Sequence, residues 1–540
     1  MAQPDGSVTD HLDHAQRVLA SMTLEQKVGQ VFMLGFDGTR LNASNRALIQ
    51  DRHLGGVTLF GRNVKTGAQL AQLNSELQTV ADPVPLFISV DQEGGLVVRV
   101  TSGATIFPGN MAIGATGDLD LARRVAEAAA SELRGMGVNM DLAPVLDVNT
   151  NPLNPVIGVR SFGSSPARVA EFGVATIGAL QAGGISAVGK HFPGHGDTHV
   201  DSHLDLPVVP HALDRLHAVE LAPFKAAIQA GVDGIMTAHV TVQALDDRAQ
   251  VPATLSPAVL TGLLRDELGY PGLILTDALD MQAITQHRTA AEAAILAFEA
   301  GADMLLIAGI DREDRAQAGG GPATLQAAVK SGRISVERLE ASVLRILETK
   351  ARRRILSAGV PPEPDLAALP AEPDAAPLNG PEHRALALEV ARRAVTLQRD
   401  TRRLLPMRSS QRVLVVVPDA PTRSYAQDDR LASSLLEAVQ QFAPAAAGAS
   451  PESAVNAART ADVIVLGTFD LIQSADQQTL ARSLTATGKP IVAVSLRGPY
   501  DAAVIPAIGT WLTVYGDRPV HHQAAAEALF GRLTPTGNAP

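Results

Sequence analysis

One polar loop carries most of the residues whose types could do chemistry. Residues 190–203 read KHFPGHGDTHVDSH and contain four histidines at intervals of four, with Asp197 and Asp201 between them. On a helix this spacing would align metal ligands on one face. A proline and two glycines oppose a helix over the first half of the loop. Metal binding and a purely structural polar loop therefore stay open as alternatives.

Acid–base catalysis is the chemistry that this loop favours. A histidine with a reference pKa of about 6.5 donates and accepts protons near neutral pH. Asp201 lies two residues before His203, and a carboxylate at that spacing can orient the ring and support its cationic form. The glycines and the proline also allow the loop to move over a pocket.

Eight short apolar runs alternate with helical patterns between residues 30 and about 310. They are residues 31–36, 56–60, 86–90, 138–148, 185–189, 234–240, 273–276 and 304–308. The runs are aliphatic or β-branched without strict alternation, as in strands buried on both faces of a parallel sheet. Asp118 stands at a helix N-cap position, and Pro223 fits a first helical turn. The pattern predicts a (β/α)8 barrel, with an open doubly wound sheet as the alternative.

Polar residues follow directly after several of these runs. In a (β/α)8 barrel the carboxyl ends of the strands build the active site. The residues are Asp91, Gln92, Glu93, Arg99, Asp147, Arg160, Lys190, His191, His239 and Asp277. A single one of them could be a helix cap, but five strand ends with polar side chains predict one common site.

A stretch rich in proline and alanine divides the chain. Residues 356–381 have the composition of a semi-rigid connector. Four further apolar runs follow, at 413–417, 463–466, 491–496 and 511–514, and helical segments such as 431–442 separate them. We predict a catalytic barrel over residues 1–355, a linker over 356–381 and a smaller α/β domain over 382–540.

Composition excludes several classes of function. The chain has 540 residues, of which 46% are hydrophobic, so it is far from the composition of disordered proteins. A net charge of −11 opposes binding to nucleic acid. The absence of cysteine excludes disulfides and thiolate catalysis. Neither a membrane span nor a signal peptide is visible, so we expect a cytoplasmic protein without a membrane partner.

Four motifs together resemble family 3 glycoside hydrolases, in the β-N-acetylglucosaminidase branch. They are KHFPGHGDT followed by DSH in the polar loop, DQEGG at 91–95, RSFG at 160–163 and TDALDM at 276–281. They span the predicted barrel in the family's order. The joint match is specific, although no single motif would be.

The resemblance implies a retaining exo-hydrolase that removes terminal N-acetylglucosamine from peptidoglycan fragments or chitooligosaccharides. It implies Asp277 as the nucleophile, His203 as the general acid and base, and Asp201 as the partner of His203. Five residues are implied to bind the sugar: Asp91, Arg99, Arg160, Lys190 and His191. No cofactor or metal is implied, the partner is a small carbohydrate, and no oligomeric state follows.

Two alternatives accompany this interpretation. Phosphorolysis could run on the same scaffold, because a histidine repels phosphate less than a carboxylate does. A catalytically silent sugar-binding protein is the alternative from another class.

Aromatic residues make up only 3% of the chain, which favours a small pocket of hydrogen-bonding groups over a long groove that stacks aromatic rings on sugars. We therefore predict better turnover of short soluble glycosides than of crystalline polymer.

Overall fold

The computed structural model describes residues 6–248, 250–309, 320–356, 378–420 and 433–540. Eight parallel strands with buried residues on both faces form the first sheet. In chain order they are β1 Phe32–Gly35, β2 Gly56–Leu59, β3 Phe87–Val90, β4 Met140–Asp141, β5 Ser186–Phe192, β6 Gly234–Thr237, β7 Leu273–Leu275 and β8 Leu305–Ile307.

The first sheet closes into a ring. Each strand pairs with its neighbours in chain order, and β1 pairs with β8. A bridge between Leu275 and Met304 joins β7 to β8. The predicted (β/α)8 barrel is confirmed, and the open doubly wound sheet is wrong.

Helices surround the barrel between its strands. The described ones are Gly6–Ser21, Leu24–Gln30, Ala43–Arg52, Gly67–Thr79, Asn110–Thr116, Leu119–Gly135, Pro166–Ala182, Leu213–Ala218, Ala222–Gln229, the π-helix Ala258–Glu267, Gln282–Thr285, Ala290–Ala300, Gly320–Lys330 and Val336–Arg352. The Asp118 side chain accepts hydrogen bonds from the backbone amides of Asp120 and Leu121, and Pro223 lies in the first turn of Ala222–Gln229. Both helix-start predictions are confirmed.

Two barrel strands differ from their predicted bounds. β4 covers only Met140 and Asp141, although the apolar run continues to residue 148. Pro144 has no backbone N–H to donate, and beyond it a single bridge between Val145 and Lys190 continues the pairing with β5. β5 continues to Phe192, which places Lys190 and His191 inside the strand and not after it.

A second sheet of six strands follows. Its strands are β9 Thr396–Asp400, β10 Val413–Val416, β11 Ala447–Ala449, β12 Val463–Thr468, β13 Ile491–Ser495 and β14 Thr510–Thr513. Their order is β9-β14-β13-β12-β10-β11, and β9 alone is antiparallel. The helices described with this sheet are Pro381–Ala394, Leu435–Gln440, Ala454–Ala457, Ala475–Ala486 and Pro519–Leu529. We call this sheet and its helices the C-terminal domain.

The smaller α/β domain is confirmed as a fold, and its four predicted strands are present. The two strands that the sequence did not reveal, β9 and β11, lie at the edges and carry exposed or small residues. The helix expected over 431–442 covers Leu435–Gln440, and its first two residues lie outside the described part. Residues 357–377 of the expected linker also lie outside the described part, so the domain limits remain predictions.

Among the helices in the described part of the chain, none is long and apolar enough to cross a membrane. The expected cytoplasmic location stays a prediction.

Candidate active site

A pocket of about 240 Å³ lies at the carboxyl ends of the barrel strands. Seven of the eight predicted site residues line it: Asp91, Arg99, Arg160, Lys190, His191, His203 and Asp277. The eighth, Asp201, does not line the pocket but forms a hydrogen bond with the His203 side chain. The structure thus brings together residues that the chain separates by up to 186 positions.

Asp277 follows β7 at the pocket wall. Its Oδ1 accepts a hydrogen bond of 2.7 Å from the Ala278 amide. Burial would raise the pKa of Asp277, but three nearby histidines and this amide outweigh burial and hold the pKa below its usual value. The histidines are His239, His191 and His203. Asp277 is therefore ionised at neutral pH, as a carboxylate nucleophile must be.

His203 and Asp201 are directly paired. Nδ1 of His203 donates to Oδ1 of Asp201 at 2.7 Å, and the His203 amide donates to the same oxygen at 2.9 Å. Burial would raise the pKa of Asp201, but the hydrogen bond and charge of His203 hold it below the usual value. Asp201 is buried, whereas His203 lines the pocket. The pair is a charged carboxylate orienting an imidazole, which suits proton transfer.

Glu93 joins two cations of the pocket. Its oxygens accept paired hydrogen bonds from Nε and Nη2 of Arg160 at 2.9 and 2.8 Å. The same carboxylate lies 2.7 Å from Nζ of Lys190. Burial would raise the pKa of Glu93, but Arg160 and Lys190 lower it far below its usual range. Glu93 is therefore a buried anchor that holds the positive charges of Arg160 and Lys190 in fixed positions at the pocket.

Asp91 binds two cations of the same pocket wall. Lys190 Nζ lies 2.6 Å from its Oδ1, and Arg99 Nη2 lies 3.5 Å from its Oδ2. Burial would lower the pKa of Lys190, but Asp91 and Glu93 outweigh it and raise the pKa, so the ammonium stays charged. This wall combines donors and acceptors in fixed positions, as recognition of sugar hydroxyls requires.

His191 is oriented by the fully buried Asp147. Nδ1 of His191 donates to Asp147 Oδ2 at 2.7 Å, and the His195 amide donates to Oδ1 at 2.7 Å. Burial would raise the pKa of Asp147, but the charge of His191 outweighs it and lowers the pKa. Asp147 therefore stays ionised and fixes both the ring of His191 and the start of the polar loop.

The four histidines of the loop go to separate partners. His195 bonds Thr198 Oγ1 at 2.8 Å and Ser202 Oγ at 3.0 Å, and His199 bonds Asn151 at 3.2 Å. The loop is not helical, so the spacing of four does not gather the rings on one face. Within the described ranges, no three His, Asp or Glu side chains are arranged to hold a metal ion.

Two pocket residues at the end of β2 were missed by the sequence interpretation. The Arg62 guanidinium lies 4.4 Å above the Phe60 ring, and that of Arg99 lies 5.5 Å from it. Arg62 Nη2 also donates to the Ala308 carbonyl at 2.6 Å, which joins the ends of β2 and β8. The strand-end rule, applied to the run 56–60, would have found Arg62, whereas Phe60 is the apolar last residue of that run and carries no such signal.

Glu93 and His239 also follow strands, but no role was assigned to them from the sequence. Glu93 is the anchor described above. His239 Nε2 donates to the Ala278 carbonyl at 2.8 Å and so supports the turn after Asp277. Neither residue lines the pocket. Their contribution depends on side-chain contacts between different strands, which the order of residues does not reveal.

Asp141 is a buried carboxyl group beneath this site. Its Oδ1 accepts from the Gln92 amide at 3.0 Å. Burial raises the pKa of Asp141 to about 7, against a usual value of 3.8. The folded protein therefore holds a proton that the unfolded chain releases as the pH rises above about 4. By linkage, stability falls between about pH 4 and 7 and stays lower above that window.

Asp141→Asn should remove this pH dependence, because the amide cannot ionise while its oxygen still accepts from Gln92. We expect the variant to gain stability over the wild type as the pH rises from 4 to 8, by a few kcal/mol at most (on the order of 1.4 kcal/mol per pKa unit). Urea unfolding at pH 5 and pH 8 measures the difference. The exposed Asp266→Asn is the control. Parallel pH profiles for Asp141→Asn and the wild type would contradict the assignment.

Known proteins resemble the chain in both sequence and fold. Residues 23–349 match the family described as the glycosyl hydrolase family 3 N-terminal domain. The chain belongs to glycosyl hydrolase family 3. The resemblance of the motifs to this family is thereby confirmed, and the chain is a glycoside hydrolase.

Three relatives match nearly the whole chain. The β-hexosaminidase A of Pseudoalteromonas piscicida is 33% identical over 98% of this chain and 98% of that protein. The β-N-acetylglucosaminidase/β-glucosidase of Cellulomonas fimi is 31% identical over 100% and 97%. A solved family 3 β-N-acetylglucosaminidase from Paenibacillus sp. str. FPU-7 is 39% identical with a TM-score of 0.89, covering 96% and 99%. Both domains are thus shared with relatives.

Proposed function

We propose that this protein is a retaining exo-β-N-acetylglucosaminidase acting on peptidoglycan fragments or chitooligosaccharides. The observation that carries the proposal is one small pocket containing an ionised carboxylate, Asp277, and the His203–Asp201 pair. Retaining hydrolysis needs a nucleophile and a proton donor around one glycosidic bond. The names of the relatives support N-acetylglucosamine as the sugar.

Asp277 attacks the anomeric carbon in the first step. The bond from this carbon to the leaving oxygen breaks as His203 transfers its proton to that oxygen, and a glycosyl–Asp277 ester forms. In the second step the now neutral His203 takes a proton from water. The water oxygen attacks the anomeric carbon, Asp277 leaves as a carboxylate, and the β configuration is retained.

Asp201 keeps this proton donor in place. Its carboxylate accepts the hydrogen bond from Nδ1–H of His203 and so orients the ring for proton transfer in the first step. The pocket wall meanwhile fixes the sugar. Lys190 and Arg160 supply donors, Asp91 accepts from the hydroxyl groups, and His191 adds a further polar contact. A pocket of this size takes one terminal sugar residue, which favours exo action.

A panel of aryl β-glycosides that differ only at C2 tests the proposed sugar. We expect kcat/KM for the 2-acetamido glycoside to exceed that for the glucoside by about tenfold or more, since one polar contact can give such a ratio. Proton NMR of the first product should show the β anomer. Equal rates on both glycosides, or an α product, would contradict the proposal.

Phosphorolysis is the second candidate, because the acid–base group is a histidine and Arg62 and Arg99 line the same pocket. The same panel run with and without phosphate separates the two reactions. Hydrolysis predicts unchanged rates and free sugar. Acceleration by phosphate with release of the sugar 1-phosphate would identify a phosphorylase. A silent sugar-binding protein would form no covalent adduct at Asp277 with a 2-deoxy-2-fluoro glycosyl reagent.

A further inference from the structure

The C-terminal domain contacts a turn of the barrel that carries three residues of the site. This turn, residues 91–99, begins with Asp91, includes Glu93 and ends with Arg99. Between them, the Gly95 carbonyl accepts a hydrogen bond of 3.1 Å from Nε of Arg518. Arg518 is buried and directly precedes the helix Pro519–Leu529. A buried charged donor of the second domain therefore holds the turn in place.

The C-terminal domain also reaches the loop that carries Arg160, residues 157–164. Asn149 braces this loop at two points: its backbone amide donates to Gly163 O at 3.0 Å, and its Oδ1 accepts from the Gly158 amide at 3.1 Å. Its remaining amide group donates to the Tyr500 hydroxyl at 3.0 Å. Tyr500 of the C-terminal domain thus orients the residue that holds both ends of the arginine-bearing loop.

Three further contacts tie the same loop to the C-terminal domain. Ser164 Oγ donates to the Pro540 carbonyl at 3.3 Å. Gly163 has a φ of +148°, and a Cβ there would lie 2.8 Å from Pro540. Val159 belongs to one buried apolar cluster with Tyr515 of the C-terminal domain. The loop therefore packs closely against this domain.

The turn and the loop meet in the buried Glu93–Arg160 ion pair. We propose that the C-terminal domain positions this pair, and that Tyr500 and Arg518 are positioning residues for sugar binding. The inference rests on the proposed role of Arg160 at the sugar. A bidentate pair loses strength with small displacements, so loops held from outside the barrel keep the guanidinium in its binding position.

Tyr500→Phe tests the proposal in the full chain with the loss of one hydroxyl. We expect KM and the inhibition constant of the free sugar product to rise between about twofold and tenfold, the effect of one hydrogen bond, while kcat changes less. Tyr270→Phe is the matched control. Its hydroxyl donates to Val232 O at the opposite end of the barrel, so this variant loses comparable stability but no affinity. Equal inhibition constants for Tyr500→Phe and the wild type would overturn the proposal.

A double-mutant cycle with Asn149→Ala gives an independent result. If Tyr500 acts through Asn149, adding Tyr500→Phe to Asn149→Ala should leave the inhibition constant almost unchanged. Additive effects would contradict the proposal.

Hydrogen exchange of the Gly158 amide needs no substrate. The exchange should be faster in Tyr500→Phe than in the wild type, and unchanged in Tyr270→Phe. If the panel of glycosides instead reveals another sugar, the exchange result still decides this inference separately from the proposed function.

Discussion

Replacing Asp277 by Asn is expected to lower kcat by about 10⁴-fold or more, because loss of the nucleophile removes the covalent route. Binding of the sugar product should persist, since the wall of Lys190, Arg160 and Asp91 is intact. Steady-state kinetics with an unactivated aryl glycoside measures the loss, and calorimetry measures binding.

The control for this prediction is Asp280→Asn. Asp280 lies three residues later, and its Oδ1 accepts from the Ala308 amide at 2.9 Å, an interaction that an amide oxygen can replace. We expect this variant to lose far less activity. Substantial turnover by Asp277→Asn on the unactivated substrate would show that Asp277 is not the nucleophile.

Replacing His203 by Ala should produce a defect that depends on the leaving group. For a substrate whose leaving oxygen needs a proton, we expect kcat/KM to fall by about 10²- to 10⁴-fold, the usual contribution of general acid catalysis. For an aryl glycoside with an acidic phenol, the first step should be nearly normal. A plot of log kcat/KM against phenol pKa should therefore become steeper in the variant.

The second step allows a further test of His203. Azide is a nucleophile that needs no deprotonation, so it should restore turnover of the activated substrate in His203→Ala and yield a glycosyl azide. His199→Ala is the control from the same loop, since His199 contacts Asn151 and does not line the pocket. If activated and unactivated substrates slow equally in His203→Ala, the acid role is wrong.

The barrel was predictable because its strands are buried on both faces. That environment requires continuous aliphatic runs such as 86–90 and 304–308, which are visible in the chain. The edge strands β9 and β11 were not predictable, since a strand with one solvated side needs no continuous aliphatic run. β4 is likewise shorter than the apolar run that predicted it, because burial alone does not mark where a strand ends.

The candidate site was partly predictable for a related reason. Parallel strands place their carboxyl ends at one rim, so residues such as Asp91, Lys190 and Asp277 had to lie near each other if the sheet closed. Closure itself could not be read from the pattern. The omission of Arg62 came from applying the rule incompletely, because Arg62 follows β2 in the same way, whereas the apolar Phe60 gives no such signal.

The barrel strands, the rim that bears the polar residues and the spacing of Asp201 and His203 are visible in the amino-acid sequence. These depend on local patterns of burial and on neighbours along the chain. Only the tertiary structure decided that Glu93 anchors both Arg160 and Lys190, and that the second domain touches the loops that carry the anchor. Such contacts join residues tens to hundreds of positions apart, and their geometry exists only once the chain is folded.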